Sequence, residues 1–382
     1  MGEVDPVMTA EENPSFRTPA DPGQPGTEVD PAADSAELAV STVRLLTRVT
    51  ARIEDLLAAE RKTWGDVDAR MTRPIDAIAH LVGAGGKRLR PTFCISGYLA
   101  AGGGALDGSQ AEDAVVSAGA ALELLHAFAL IHDDVMDNAP TRRGLSTAHM
   151  KHAGIHADHG WAGEARRYGE GAAIIAGDLA YGYAHTAVEA LSGPARRVWN
   201  HLGTEMILGQ QLDMSLAAEL APDPALARYV AICKSGQYTI HRPLSLGATI
   251  AGRDDLNEVF EAYGVAAGEA FQLRDDLLDA FGDPEVTGKP AGLDISEHKM
   301  NLLLALAATK DAEVARLVAD GQNWDADRLH GALLASGMRE EVESRIDELV
   351  ATAREALENA PLAPGWRERL GEMAVQVAYR DH

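Results

Sequence analysis

Helical rhythm limits this chain more than any other feature. From about residue 36 to the C-terminus, segments rich in Ala, Leu, Glu and Arg alternate with short Gly/Pro breaks. "AEDAVVSAGAALELLHAFALIHDD", "GAAIIAGDLAYGYAHTAVEAL" and "LNEVFEAYGVAAGEAFQLRDDLLDAF" carry apolar residues at helical spacing. No run sustains strand alternation between turn signals. A βαβ rhythm is also missing, which counts against a Rossmann or barrel fold. The sequence therefore predicts an all-α protein, a single large helical bundle over residues 36–382. Residues 1–35 hold few large apolar side chains and much Pro, Glu and Asp. Such a segment cannot bury enough surface to offset its chain entropy, so a disordered acidic tail is expected there.

The formal net charge of −24 argues against a nucleic-acid partner, because polyphosphate backbones attract cationic surfaces. It leaves room for a small phosphorylated substrate, since metal ions can bridge two anions. Two cysteines, Cys94 and Cys233, imply no disulfide framework. The longest apolar region, Ala114 to Ile131, is interrupted by Glu123 and His126 and reads as a core helix rather than a membrane span. No secretory signal pattern is present, so a cytoplasmic location is expected. Four histidines between His149 and His159 read as an exposed polar loop, with a metal site as the weaker alternative.

The chemistry concentrates in "HDDVMD" and "RDDLLD". Asp133 and Asp137 are four apart and share a helix face, with Asp134 roughly 100° round from Asp133. Like charges so placed oppose one another, and at a helix C-terminus they also oppose its dipole. A hard divalent cation resolves the conflict: Mg²⁺ takes oxygen ligands and is typically held by one or two carboxylates plus substrate phosphates. Asp275, Asp276 and Asp279 repeat the spacing 142 residues later, again after an apolar helical run and before a Gly/Pro loop. "GAGGKRLRP" adds Lys87, Arg88 and Arg90, "TRRG" adds Arg142 and Arg143, and Lys289 and Lys299 flank the loop after the second triad. Arg88 is read as a surface charge. The remaining cations, with the acidic triads, fit two diphosphates better than one.

These motifs resemble those of the trans-isoprenyl diphosphate synthases, the polyprenyl synthetase family. "GGKRLRP", "HDDVMD", "RRG", "GDL", "GQQLD", "KSGQYT", "FQLRDDLLDAFGD" and "TGKP" stand in that family's order, and the likeness runs from about residue 40 to "YRDH". The resemblance implies an isoprenoid-synthase bundle around a central cavity. It implies Asp133, Asp137 and Asp275 as Mg²⁺ ligands, with Asp134, Asp276 and Asp279 supporting, around about three ions. Lys87, Arg90, His126 and Arg143 would hold isopentenyl diphosphate without metal. Arg142, Lys234, Ser235, Gln272, Lys289 and Lys299 would contact an allylic diphosphate, with Lys234 and Gln272 also facing the reacting carbon. A homodimer is implied as well. Ser146, Ser235, Leu293 and His298 depart from the residues common at those places; Ser235 keeps a hydroxyl, while Leu293 and His298 set the loop before Lys299 apart from the family pattern.

Product length should follow from the residues before Asp133. Phe128 is the bulky floor and Ala129 leaves room beside it, which resembles producers of geranylgeranyl (C20) diphosphate, with C15 or C25 as alternatives. Two other classes fit less well. A terpene cyclase has no second diphosphate to hold, and a non-catalytic subunit has no use for two complete triads.

Overall fold

The computed structural model of the chain describes residues 31–380, apart from 105–107, 143, 284–291, 297 and 322–323. The expected tail lies outside this range except for residues 31–35, which already belong to the first helix. The helices are α1 (Pro31–Gly65), α2 (Arg73–Gly83), α3 (Leu89–Ala100), α4 (Gln110–Met136), α5 (Ala148–Asp158), α6 (Ala165–Val188), α7 (Gly193–Glu219) and α8 (Pro224–Ala231). A π-helical segment, Ile232–His241, leads into α9 (Arg242–Ile250) and α10 (Asn257–Phe281). Then follow α11 (Leu293–Ser296), α12 (Leu302–Lys310), α13 (Ala312–Ala319), α14 (Ala326–Ala335), α15 (Met338–Leu357) and α16 (Trp366–Ala378). A two-residue hairpin, β1 (Thr141–Arg142) with β2 (Leu145–Ser146), is the sole sheet among the described residues. The all-α expectation therefore holds.

α4 and α10, the helices that carry the two acidic triads, sit at the centre. Ser109 starts α4 by accepting the Glu112 amide, satisfying one of the orphan N–H groups of the first turn. α4 then packs along α6, α3 and α1, and α10 packs along α15 and the π segment. By length and composition α4 could cross a membrane, but 67% of its apolar window is buried inside the protein, as a core helix requires. Glu269 anchors α10. Its carboxylate is fully buried and accepts from Arg228 Nε at 2.7 Å and Arg345 Nε at 3.0 Å, tying α8 and α15 to α10. The π segment comes close because both backbones lack a side chain at the contact: a Cβ on Gly268 would fall 2.0 Å from Gly236 Cα. That contact brings Ser235 within reach of Gln272.

The histidine-rich stretch is not a loop. It forms α5, and His149, His152 and His156 are buried against α6. Their i, i+3, i+7 spacing is that of an inward helix face, hidden in the sequence because the face is made of imidazoles rather than aliphatics. Among the described residues no group of three His, Cys, Asp or Glu side chains is arranged to hold a metal ion unaided.

Burial lowers the pKa of His149 and His152, and takes His241 down to about 3 from its ordinary 6.5. A group depressed in the folded state contributes stability above its unfolded pKa, and that contribution is lost as pH falls towards the folded value. Thermal unfolding should therefore be pH-independent in this respect above 6.5 and shift to lower temperature from pH 6.5 to 5, with net proton uptake on unfolding. Differential scanning calorimetry across that range checks it, and a flat profile would count against these three buried histidines.

Candidate active site

The two triads are built alike. In each, the middle aspartate turns into the protein while the outer carboxylates remain partly exposed. Asp134 is 2% exposed and accepts from Arg142 Nε at 2.6 Å. Asp276 is 1% exposed, with one oxygen accepting from Gln272 at 2.9 Å and the other from the Leu303 amide at 3.2 Å. Burial raises the pKa of both; nearby Asp294 adds to this at Asp276, which lies well above the usual carboxylate range. Asp276, expected to support a metal, spends one oxygen on Gln272 of its own helix and the other on the Leu303 amide, which joins α10 to α12. Asp134 likewise serves to fix Arg142.

A chain of contacts joins the outer carboxylates of the two triads. Lys299 Nζ lies 2.8 Å from Asp137 Oδ2 and 3.9 Å from Asp294, whose amide donates to Asp279 at 3.1 Å. The second triad is thereby linked through α11 to the first. Asp133 accepts from Gln210 at 3.1 Å and lies 3.3 Å from Arg142 Nη2, and Asp275 pairs with Arg380. Lys234 is held at 2.6 Å by Asp213. Burial works against its charge, but Asp213, Asp133 and Asp137 outweigh that and raise its pKa, so it stays a cation. Gln210, Asp213, Asp294 and Arg380 were not singled out from the sequence. The first two belong to the quoted "GQQLD" and Arg380 to "YRDH", so the signal was there without an assigned role.

Lys299 keeps its place despite the departure beside it. His298 occupies a left-handed backbone position, with φ of 60°, and its ring stacks on Trp324 at 4.7 Å with planes 3° apart. The stack offsets the cost of a non-glycine residue there.

The cations expected at the second diphosphate divide into two groups. Arg90 lies over the Tyr238 ring at 4.1 Å, and Tyr238 Oη lies 3.5 Å from His126 Nδ1. The Nε of Arg90 is buried without a hydrogen-bond partner, a donor that an incoming anion would satisfy. Lys87 instead lines a cavity of about 240 Å³ with Thr92, Phe271, Arg369, Gln376 and Arg380. Burial, and Arg380 beside it, lower the Lys87 pKa. Gly85 and Gly86 make the turn before it, with φ of 82° and 150° that other residues avoid. Arg88 is not the solvated surface charge expected of it: it pairs with the buried Glu123 and donates to the Val82 carbonyl at 2.8 Å, locking the turn onto α4.

Ser235 does not present its hydroxyl to a phosphate. It is buried and donates to Gln272 Oε1 at 2.7 Å, so Ser235, Gln272 and Asp276 form one relay from the π segment to α12. Phe128 packs edge-on against His132 at 4.7 Å and against Tyr181 of α6 at 4.9 Å, with Ala129 half-buried beside it. Arg143 and Lys289 lie outside the described residues.

With this geometry in place, comparison with known proteins is decisive. The polyprenyl synthetase family model matches residues 73–327, more than half of the chain. The chain belongs to the polyprenyl synthetase family. It is a trans-prenyltransferase that makes prenyl diphosphates. A solved geranylgeranyl pyrophosphate synthase from Corynebacterium glutamicum, complexed with isoprenyl diphosphate and magnesium, is 36% identical with a TM-score of 0.81, covering 88% of this chain and 99% of that one. The geranylfarnesyl diphosphate synthase of Aeropyrum pernix is 32% identical over 75% of this chain and 87% of its own. The nonaprenyl diphosphate synthase of Mycobacterium tuberculosis is 29% identical over 83% and 88%. Relatives with such different products leave chain length open within this prenyltransferase family.

Proposed function

We propose that this polyprenyl synthetase condenses isopentenyl diphosphate with an allylic diphosphate, with Mg²⁺, to give geranylgeranyl (C20) diphosphate. The observation that carries the reading is the presence of two kinds of anion site: outer carboxylates of both triads joined through Lys299 and Asp294, and a separate cationic cavity at Lys87, Arg369 and Arg380.

Asp133, Asp137, Asp275 and Asp279 fit a hard cation: they offer only oxygen donors, too few to enclose it, so substrate phosphates complete the set. Bound there, Mg²⁺ supplies charge stabilisation to the departing diphosphate. Arg142, Lys234 and Lys299, now paired with cleft carboxylates, are in position to transfer to that diphosphate. They favour breakage of the allylic C–O bond by meeting charge where it develops. The double bond of isopentenyl diphosphate then forms the new C–C bond, and the proton lost from the adjacent carbon passes to the released diphosphate. Gln272 acts through its bonds to Ser235 and Asp276, fixing the π segment that carries Lys234. Phe128, backed by Tyr181 and His132, supports a floor of C20 depth, with C15 or C25 as the neighbouring outcomes. A homodimer belongs to the same reading, supported by exposed apolar side chains at Ile174 and Ile175 of α6 and Leu208 of α7.

Incubation with labelled isopentenyl diphosphate, Mg²⁺ and dimethylallyl, geranyl or farnesyl diphosphate tests the reaction. Consumption of the label with each primer is expected. Release of diphosphate without consumption of isopentenyl diphosphate would contradict it.

A further inference from the structure

A second cavity, of about 170 Å³, lies between α2, the β1–β2 hairpin, α5 and the Ile131–Asp134 flank of α4. Its lining includes neither Asp133, Asp137 nor Lys234, and its charges do not balance. Each acid on the wall is already matched: Asp76 lies 3.1 Å from Arg61, and Asp134 accepts from Arg142. Arg73 and Lys151 remain, and among the described residues neither makes an ion pair. Arg73 instead stacks over Trp161 at 4.9 Å and donates to Tyr168 Oη.

His152 joins them. It is 4% exposed and lines the cavity, and its Nδ1 is buried without a hydrogen-bond partner. Burial, with Arg73 and Lys151 nearby, lowers its pKa. The N-terminus of α5 opens onto the same space through Thr147 and Ala148. Thr147 does not cap the helix, because its hydroxyl donates to the Ala139 carbonyl at 2.8 Å. Uncapped first-turn N–H groups, two cations and a buried unpaired imidazole make an anion site. The far wall is apolar, formed by side chains such as Leu81, Ile131 and Ile155.

We propose that this cavity is a second, metal-independent binding site for a small organic phosphate with a short branched apolar chain. The phosphate sits at Lys151, Arg73, His152 and the α5 N-terminus, and the chain lies on the aliphatic wall. Arg142 lines the cavity and also bonds Asp133 and Asp134, so the occupant sits one side chain from the first acidic triad.

Calorimetric titration with dimethylallyl monophosphate in EDTA tests this, with inorganic phosphate as the comparison. Since neither Mg²⁺ nor turnover is involved, failure here leaves the condensation reading untouched. The tightest binding of the monoester should be the same in the wild type and in Lys87→Ala, which alters only the separate cationic cavity, and about tenfold or more weaker in Lys151→Ala, the loss of one charge-assisted contact. Lys151 is exposed, so its substitution leaves folding intact; His152→Gln, of similar reach, gives a second reading of the same loss. Inorganic phosphate should bind the wild type at least about tenfold more weakly than the monoester, because it leaves the aliphatic wall unused. Unchanged binding in Lys151→Ala, loss of all binding in Lys87→Ala, or equal affinity for the two probes would overturn the proposal.

Discussion

Asp137→Ala should lower the condensation rate by about 10³-fold or more, the scale on which loss of a preorganised charge-stabilising group is felt. The folded state should be untouched. Asp137 closes the C-terminal end of α4, where a carboxylate opposes the helix dipole, and its partner is Lys299 at 2.8 Å in a partly exposed pair. Removing it relieves like-charge repulsion with Asp133 and frees a lysine that water can solvate. Thermal unfolding within a few degrees of wild type, alongside the rate loss, would separate the metal role from a structural one. Asp276→Ala should behave oppositely in stability. It removes a buried carboxylate bonded to Gln272 and the Leu303 amide and leaves the amide unsatisfied, a loss on the order of 1–3 kcal/mol. If Asp137→Ala retained near-normal turnover, the outer-carboxylate assignment would fail.

Phe128→Ala should lengthen the product by at least one five-carbon unit. The ring packs on Tyr181 and His132, so its loss opens space bounded by those side chains instead of letting the wall collapse. Tyr181 itself packs at a tilt against His185, with ring centroids 4.5 Å apart, which keeps the second layer in place. Phe128→Ala with Tyr181→Ala should lengthen the product further than either change alone. Chain-length analysis by mass spectrometry reads this directly, and an unchanged profile in both variants would remove Phe128 as the floor.

Much of this architecture could be read from residue order. Helical spacing, Gly/Pro punctuation and the repeated aspartate triad were enough to place α4 and α10 and to put a diphosphate chemistry between them. Roles within the triads were less visible. The motif separates Asp133 from Asp134 by rank, and packing supplies the reason: Arg142 reaches both, but only Asp134 is held inside while Asp133 stays partly exposed. The same holds for Asp276, whose fate depends on the Leu303 amide 27 residues away. α5 departs from the expected polar loop because burial of histidine depends on partners that no local pattern announces. Arg380 carries no local signal, because its pairing with Asp275 and its place beside Lys87 join segments far apart in sequence.

The central claim is that one cleft joins isopentenyl diphosphate to an allylic primer and stops at twenty carbons. Incubating the enzyme with isopentenyl diphosphate, farnesyl diphosphate and Mg²⁺, then sizing the dephosphorylated alcohols, tests it most directly. A single dominant geranylgeraniol peak that persists at long incubation and high isopentenyl diphosphate is the predicted result. Accumulation of C25 or longer alcohols as the main product, or no elongation of farnesyl diphosphate at all, would contradict it.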